Sequence, residues 1–204
     1  MHELTSAAVA LMVCVAAGSY LAGCCNGAII TSFLFYHDDI RKHGSHNAGL
    51  TNFYRTFGGK YAICVILVDM LKAFVAVKLG SIVFGEYLGL RLEGEYFSAL
   101  FCVIGHIFPA FYSFKGGKGI ATTFGCLLGL LPFWTPVLVL ACIFIFYSTI
   151  LRITPNLSRT RVTYFTLPLG MLLMEVPLWI CFGTLCMTGM VLVRLHISTE
   201  EREK

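Results

Sequence analysis

The chain has 204 residues, of which 57% are hydrophobic and 13% charged, and its formal net charge is +4. An ordinary soluble domain carries about 25% charged residues, so this composition indicates an integral membrane protein. Apolar stretches occupy most of residues 1–204, which favours a single membrane domain without a separate soluble one. No run of lysine or arginine suggests a nucleic-acid partner.

The first predicted span covers residues 4–35, one long apolar segment interrupted by the polar Asn26. Glu3 stands where a signal peptide has basic residues, so we interpret this segment as a spanning helix and not as a cleaved signal. A polar segment follows at residues 37–60, and its second half, from Thr51, is a candidate helix.

The rest of the chain predicts spans of unequal length. The segments are 61–84 as a second span, 85–95 as an acidic loop, 96–109 and 120–131 as short helices, 133–151 as a lipid-facing span, 152–161 as a basic loop, and 162–174 and 178–195 as closing helices. The predicted fold class is therefore an all-α integral membrane protein, a bundle of about seven transmembrane helices with some of them short.

The basic residues predict how this bundle is oriented. If the N-terminus is outside, the loops at 36–60, 113–119 and 152–161 and the C-terminal tail all lie inside, where most lysines and arginines then fall. Only Arg91 lies in an outside loop, and an odd number of spans is needed for this pattern. We expect these loops to face the cytoplasm.

The most distinctive stretch is residues 115–119, where glycines and two lysines precede a predicted helix that begins at Ile120. Its glycines let the backbone approach a ligand and its lysines supply positive charge, so the stretch would suit a phosphate. A loop whose lysines only set the topology is the alternative. The nucleotide P-loop pattern does not match, because Tyr112 and Gly119 stand where it needs Gly and Ser or Thr.

A second stretch, residues 41–55, concentrates small hydrogen-bonding side chains and ends on Arg55, which can bind a phosphate with two hydrogen bonds. A solvated loop more often carries Glu and Lys than such a run of small donors, so we favour a functional role. The donors are Ser45, Asn47, Thr51 and Asn52.

Ionisable residues inside a span also need an explanation. Asp69 and Lys72 lie three residues apart in the second span and are expected to pair on one helix face, either as a structural ion pair, which we prefer, or as a substrate contact. His106 lies at the end of a short helix and is expected to cap it, with a base as the alternative. The nine cysteines and the other histidines lack metal-ligand spacing, so we expect neither a metal nor a cofactor.

With these segments in view, the chain resembles the bacterial acyl-phosphate:glycerol-3-phosphate acyltransferases, the PlsY family. Residues 44–52 followed by Arg55 resemble the family's GSGNxGATNxxR motif, Asp69 and Lys72 resemble its DxxKG motif, and residues 105–122 resemble its GHxFPxFxxFKGGKGVAT motif. The likeness runs through nearly the whole chain in order and spacing.

The resemblance implies transfer of a fatty acyl group from acyl phosphate to the 1-hydroxyl of glycerol 3-phosphate, giving lysophosphatidate and phosphate in the phospholipid biosynthesis of a bacterial inner membrane. The acyl tail would lie between helices, in or beside the membrane lipid, and no Ser-His-Asp triad would be needed. By resemblance, the residues for the phosphate and the reacting acyl centre are Ser45, Asn47, Thr51, Asn52 and Arg55, and those for glycerol 3-phosphate are Lys115, Gly116, Gly117, Lys118 and Thr122. His196 joins Ser45 and Arg55 as a candidate catalytic residue.

The chain departs from the family pattern near its end, where Thr199 stands in place of an expected Asn three residues after His196. A degenerate third motif would make the protein a catalytically impaired relative. The alternative from another class is a membrane transporter or binding protein for a small phosphorylated solute. A transporter needs a path to the outside, whereas the predicted donors cluster on one face of the membrane.

Overall fold

The computed structural model describes residues 6–197, and in this part of the chain the regular secondary structure is helical, without a strand. Short 3-10 turns lie at Ile40–Lys42 and Ala110–Tyr112, and a π-helical turn at Phe146–Ile150 directly follows the helix Thr135–Ile145. The α-helices are α1 Ser6–Cys24, α2 Gly27–Tyr36, α3 Leu50–Phe57, α4 Ala62–Leu88, α5 Arg91–Ile107, α6 Ile120–Gly129, α7 Thr135–Ile145, α8 Asn156–Leu173 and α9 Leu178–Ile197.

The all-α membrane fold class predicted from the sequence is confirmed. Three segments are long and apolar enough to cross a membrane, namely Ser6–Cys24, Arg91–Tyr112 and Leu178–Ile197. Large apolar side chains such as Leu71 and Phe165 are exposed on the outside of the bundle, as expected where lipid replaces water. The described residues hold two helices more than the seven predicted, because the first span is divided and α3 forms within the first polar segment.

The prediction of one helix over residues 4–35 was wrong, because the chain breaks between α1 and α2. The side-chain oxygen of Asn26 accepts a hydrogen bond from the Ile29 amide at 3.0 Å and so caps the start of α2. Asp69 Oδ1 accepts from the Gly27 amide at 2.9 Å. The apolar composition of the segment does not reveal this break, which depends on a partner from α4.

The prediction of an acidic loop over residues 85–95 was also wrong. Helix α4 continues to Leu88 and α5 begins at Arg91, and Gly89 makes the tight turn between them with φ +70°. Glu95 is buried in α5 and accepts a hydrogen bond from Ser81 Oγ at 2.9 Å. Because the Glu95 carboxyl group has a hydrogen-bonding partner on α4, it can be buried within α5 without ending the helix.

The basic loop predicted over residues 152–161 is shorter than expected, since α8 already begins at Asn156. Arg159 and Arg161 therefore lie on a helix rather than in a loop. The start of α8 therefore lies beside α3, where Asn156 contacts Thr51.

Glycines allow the central helices to approach closely. Helix α4 packs against α1, α5 and α6. A Cβ on Gly105 of α5 would collide with the Tyr20 carbonyl group of α1, and a Cβ on Gly125 of α6 would collide with the Met70 carbonyl group of α4. The closely packed helices bring the C-terminal end of α5 next to the starts of α2 and α6.

Candidate active site

A cavity of about 370 Å³ opens at one end of the bundle. Three helices begin at its wall, since Leu50 opens α3, Ile120 opens α6 and Asn156 opens α8. Helix N-termini carry partial positive charge and unpaired amide groups, which favour anions. The polar side chains that line the cavity are those of Asn47, Thr51, Asp69, His106, Lys118, Asn156 and Arg159.

The glycine-rich loop carries Lys118 into this cavity. The Gly116 amide donates to the Ile107 carbonyl oxygen and the Gly117 amide to that of His106, each at 3.2 Å. A Cβ on Gly117 would lie 2.7 Å from the Ala48 carbonyl oxygen and would collide with the His106 ring. Only glycine therefore lets the loop lie on the end of α5, where the Lys118 side chain is buried at the cavity wall.

Asn52 organises the polar segment that precedes α3. Its side-chain nitrogen donates to the carbonyl oxygens of His43 at 2.9 Å and Asn47 at 3.1 Å, and its side-chain oxygen accepts from the Ser45 amide at 3.1 Å. Gly44 has φ +53°, and a Cβ there would collide with the Asn52 side chain. The buried amide of Asn52 thus holds Asn47 at the cavity wall.

Arg41 fastens this polar segment to the chain before the glycine-rich loop. Its guanidinium donates to the Tyr112 carbonyl oxygen at 3.0 Å and lies 5.1 Å from the centre of the Tyr112 ring. It also pairs with Asp39 at 2.7 Å. Hydrogen bonds from the Arg41 side chain lower the pKa of the Asp39 carboxyl below its usual value.

The expected pair of Asp69 and Lys72 is confirmed, with 2.8 Å between Lys72 Nζ and Asp69 Oδ1. Lys72 Nζ also donates to the carbonyl oxygens of Gly23 at 3.0 Å and Cys25 at 2.8 Å, next to the break between α1 and α2. His106 Nδ1 lies 2.9 Å from Lys72 Nζ, so this imidazole contacts the ion pair instead of capping the end of α5. The cluster joins α1, α4 and α5 immediately beneath the cavity.

Arg194 is a site residue that the sequence reasoning missed. Its guanidinium donates from Nη2 to the Gly116 carbonyl oxygen at 3.0 Å and from Nε to that of Gly117 at 3.4 Å. Nη2 also lies 3.4 Å from Asn47 Oδ1. The signal was a basic residue in the last turn of the final apolar helix, two positions before His196.

Helix α8 contributes two further residues that the predicted loop concealed. Asn156 Nδ2 donates to Thr51 Oγ1 at 3.1 Å, and Arg159 Nη2 donates to Asn156 Oδ1. The Arg159 guanidinium lies 5.5 Å from the centre of the Phe144 ring. These contacts connect the start of α3 to the start of α8 at the cavity wall.

The structure brings five of the sequence-predicted residues together at the cavity wall: Asn47, Thr51, Asp69, His106 and Lys118. The other candidates do not line it. Ser45 is half-buried in the polar segment, Lys115 and His196 are exposed, and Thr122 is buried within α6. Arg55 is exposed on α3 and lines a shallow depression that shares Leu50, Thr51 and Ile66 with the cavity. Thr199 lies outside the described residues.

An all-helical membrane bundle whose cavity is lined by side-chain amides, the Thr51 hydroxyl and the cations of Lys118 and Arg159 defines a membrane protein with a candidate anion-binding site. Among residues 6–197 no cluster of three or more His, Cys, Asp or Glu side chains could hold a metal ion. The family described as glycerol-3-phosphate acyltransferase matches residues 13–202, and the chain belongs to this family.

Individual relatives agree with this assignment. The chain is 43% identical over 132 residues to a glycerol-3-phosphate acyltransferase of Finegoldia magna, an alignment that covers 65% of this chain and 62%, less than two thirds, of that protein. It is 40% identical over 151 residues to one from Pseudomonas fluorescens, which covers 74% of this chain and 76% of the relative.

The fold also matches solved structures. PlsY, an integral membrane glycerol 3-phosphate acyltransferase, in its glycerol 3-phosphate form superimposes with a TM-score of 0.76 over 91% of this chain and 88% of that chain, at 24% identity. Its lysophosphatidic acid form gives a TM-score of 0.75 over 94% and 90%, at 22% identity. At these identities the similarity shows the fold alone.

Proposed function

We propose that this protein transfers a fatty acyl group from acyl phosphate to the 1-hydroxyl of glycerol 3-phosphate, producing lysophosphatidate and inorganic phosphate. The observation that carries the proposal is that Asn47 and Thr51 from one predicted donor-rich stretch and Lys118 from the other line a single cavity. Membership of the glycerol-3-phosphate acyltransferase family supports the same reaction. The PlsY structures with glycerol 3-phosphate and lysophosphatidic acid support both ends of it.

The proposed reaction needs no nucleophile from the protein. Acyl phosphate is an activated mixed anhydride, so the 1-hydroxyl oxygen attacks the acyl carbonyl carbon directly. The bond from that carbon to the phosphate oxygen breaks, and the departing phosphate takes the proton of the hydroxyl. The protein then contributes orientation of two anionic substrates and stabilisation of the charge that develops on the carbonyl oxygen.

We assign the two substrates to the two loops. Lys118, with Gly116 and Gly117 behind it, would hold the phosphate of glycerol 3-phosphate. Asn47 and Thr51 would face the acyl phosphate from the start of α3. The cavity also has an apolar wall of Ile66, Met70, Phe124 and Phe144, which suits the first carbons of an acyl tail.

The remaining candidates receive roles at the rim or behind it. Ser45, Arg55 and His196 are proposed to meet the substrates from outside the cavity wall, with Arg55 reaching in from the adjoining depression. Lys115 in the glycine-rich loop and Thr122 in α6 remain proposed contacts of glycerol 3-phosphate. Asn52, Asp69, Lys72 and His106 are proposed to position the loops rather than to bind substrate, because the contacts described for them are to the protein itself.

We further propose that the protein lies in a bacterial inner membrane with its N-terminus outside and the cavity facing the cytoplasm. The polar segments next to the cavity carry Arg41, Lys42, Arg55, Lys60 and Lys115, which supports this orientation. Single cysteines introduced at Lys60 and at Glu86 into a cysteine-free chain should react with an impermeant maleimide from opposite sides of oriented vesicles. Labelling of both from the same side would contradict the topology.

The activity is tested with purified protein in lipid, given acyl phosphate and labelled glycerol 3-phosphate. We expect labelled lysophosphatidate and one phosphate released for each product formed. A parallel reaction with acyl-CoA tests whether the donor has been correctly assigned. Formation of no lysophosphatidate from either donor would refute the acyltransferase, and uptake of glycerol 3-phosphate into proteoliposomes would then support transport.

A further inference from the structure

Arg159 places a second cation, besides Lys118, on the cavity wall. We infer that Arg159 binds the phosphate of the acyl donor, which deepens the proposed function and rests on it. Neither of the two donor-rich stretches contains this residue, and it reaches the cavity because α8 begins at Asn156. Four features of the site around the Arg159 guanidinium group support this assignment.

An apolar surface lies beside Arg159. Its guanidinium lies 5.5 Å from the centre of the Phe144 ring, and the Phe144 and Phe124 rings meet edge to face with 6.3 Å between their centres. Ile66 and Met70 continue this wall. An acyl phosphate carries its phosphate directly on the acyl group, so its anion site must adjoin an apolar surface. Glycerol 3-phosphate has no such requirement.

Part of the hydrogen-bonding capacity of the Arg159 side chain is unused within the described residues. Arginine offers five N–H donors in a planar fork. Nη2 donates to Asn156 Oδ1, while Nε is buried without a hydrogen-bond partner. A buried unpaired donor is unfavourable unless a ligand accepts from it, and a phosphate oxygen is an acceptor of the right charge.

Contacts with α3 also hold the Arg159 guanidinium in place. Asn156 accepts from Arg159 and donates to Thr51 Oγ1 at 3.1 Å. Thr51 belongs to the stretch assigned to the acyl phosphate, so this chain of hydrogen bonds ties Arg159 to that half of the site. An oriented fork loses less conformational freedom on binding a phosphate than a mobile one.

The charges at the cavity wall also favour an anion beside Arg159. Asp69 is the one carboxylate that lines the cavity among the described residues, and it is paired with Lys72 at 2.8 Å. The carboxylate at the wall is therefore already engaged with another cation. With Lys118 assigned to glycerol 3-phosphate, Arg159 is the cation at the wall that balances the charge of the acyl donor's phosphate.

Steady-state kinetics of Arg159→Gln and Arg159→Lys test the assignment. A charge-assisted hydrogen bond contributes roughly a 10- to 100-fold change in binding. We expect Arg159→Gln to raise the KM for acyl phosphate about tenfold or more and the KM for glycerol 3-phosphate less than about twofold. Arg159→Lys should recover part of the loss, because it keeps the charge but not the fork.

Arg152→Gln is the matched control, since it removes one positive charge from the exposed segment just before α8. It should leave both KM values within about twofold of the wild type, because exposed charges are well screened. A larger rise in the KM for glycerol 3-phosphate than for acyl phosphate in Arg159→Gln would overturn the assignment. So would a loss of kcat with both KM values unchanged.

A binding measurement separates this inference from the proposed reaction. Inorganic phosphate should raise the Tm of the detergent-solubilised wild type and of Arg152→Gln, and should raise that of Arg159→Gln much less. If the wild type makes no lysophosphatidate, the proposed reaction fails, and this measurement decides the anion site alone. Equal stabilisation of all three proteins by phosphate would refute the role of Arg159. If Arg159→Gln does not fold, the comparison of Arg159→Lys with Arg152→Gln decides both measurements.

Discussion

The Arg194 side chain lies 3.4 Å from Asn47 Oδ1 and donates to the Gly116 carbonyl oxygen at 3.0 Å, so one guanidinium joins the two loops that line the cavity. Asn52 holds the first loop together internally, and backbone hydrogen bonds hold the second loop to α5. Their separation at the cavity therefore depends on a residue near the end of the last helix.

Arg194→Ala should loosen both loops at once. A hydrogen bond to a charged group contributes about 1.5–3 kcal/mol, so kcat/KM should fall by about tenfold or more, with both KM values raised. Limited proteolysis should also become faster within residues 112–119. His196→Ala is the comparison, because His196 is exposed two residues further on, and it should leave the proteolysis rate unchanged whatever it does to turnover. Equal proteolysis of Arg194→Ala and the wild type would contradict the joining role.

The sequence singled out both stretches that contribute to the cavity, because small donors and paired glycines in an apolar chain have few other uses. It also predicted the pair of Asp69 and Lys72 from their spacing. The sequence alone could not show that Lys118 lines the cavity and Lys115 does not, because this difference depends on how the glycine-rich loop packs on His106. Gly117 also packs against Ala48, which belongs to a distant part of the chain.

The errors in the helix boundaries have the same origin. Composition described residues 4–35 as one apolar segment, whereas the break depends on Asn26 and on two hydrogen-bonding partners from α4. Glu95 suggested a loop because its partner, Ser81, lies on another helix. Basic residues before residue 162 suggested a loop where α8 begins. Tertiary hydrogen bonds decided each of these boundaries, and local patterns do not contain them.

Lys118→Ala should affect glycerol 3-phosphate more than acyl phosphate. Lys118 is 6% exposed at the cavity wall, whereas Lys115 in the same loop is exposed outside it. We expect Lys118→Ala to raise the KM for glycerol 3-phosphate by about tenfold or more and the KM for acyl phosphate by less than about threefold. Lys115→Ala should change either value by less than about threefold. Equal rises in both KM values for Lys118→Ala would contradict the assignment of this loop.

Gly117→Ala should displace the glycine-rich loop from the end of α5. An added Cβ would collide with the His106 ring and lie 2.7 Å from the Ala48 carbonyl oxygen, so the loop must move. Overpacking of this kind costs about 1–3 kcal/mol, and we expect turnover to fall at least tenfold while Tm falls by several degrees. Gly18→Ala in α1 is the control, because nothing lies within 4 Å of its added Cβ. It should leave turnover unchanged, and a similar loss in both variants would argue against a specific collision.

Asp39 should make the attachment of the first loop sensitive to acid. The Arg41 side chain holds the pKa of the Asp39 carboxyl below its ordinary value of 3.8. A depressed folded-state pKa contributes stability that is complete above that ordinary value and is lost as the pH falls through the folded-state pKa. Between about pH 5 and about pH 3 the wild type should therefore lose more Tm than Asp39→Asn does. Parallel Tm curves for the two proteins would show that this pair does not contribute.

The buried pair of Asp69 and Lys72 should show strong coupling. Lys72→Met leaves the Asp69 carboxylate buried without its cation and frees the carbonyl oxygens of Gly23 and Cys25, so we expect a loss of about 3–5 kcal/mol. Adding Asp69→Asn to Lys72→Met removes the unpaired charge while keeping an oxygen that can accept from the Gly27 amide. The double variant should therefore be more stable than Lys72→Met alone.

Denaturant titration of the protein in detergent measures these differences. Lys78→Met is the control on the same helix, because Lys78 Nζ donates to the Leu131 carbonyl oxygen at 2.8 Å. It should cost about 1–2 kcal/mol, less than Lys72→Met. Because the Asp69 and Lys72 cluster lies beneath the cavity, turnover of the double variant should recover less than its stability does. If Lys72→Met and Asp69→Asn reduced the free energy of unfolding additively, the pair would not be coupled. The junction of α1, α4 and α5 would then depend on the Lys72 hydrogen bonds to Gly23 and Cys25 alone.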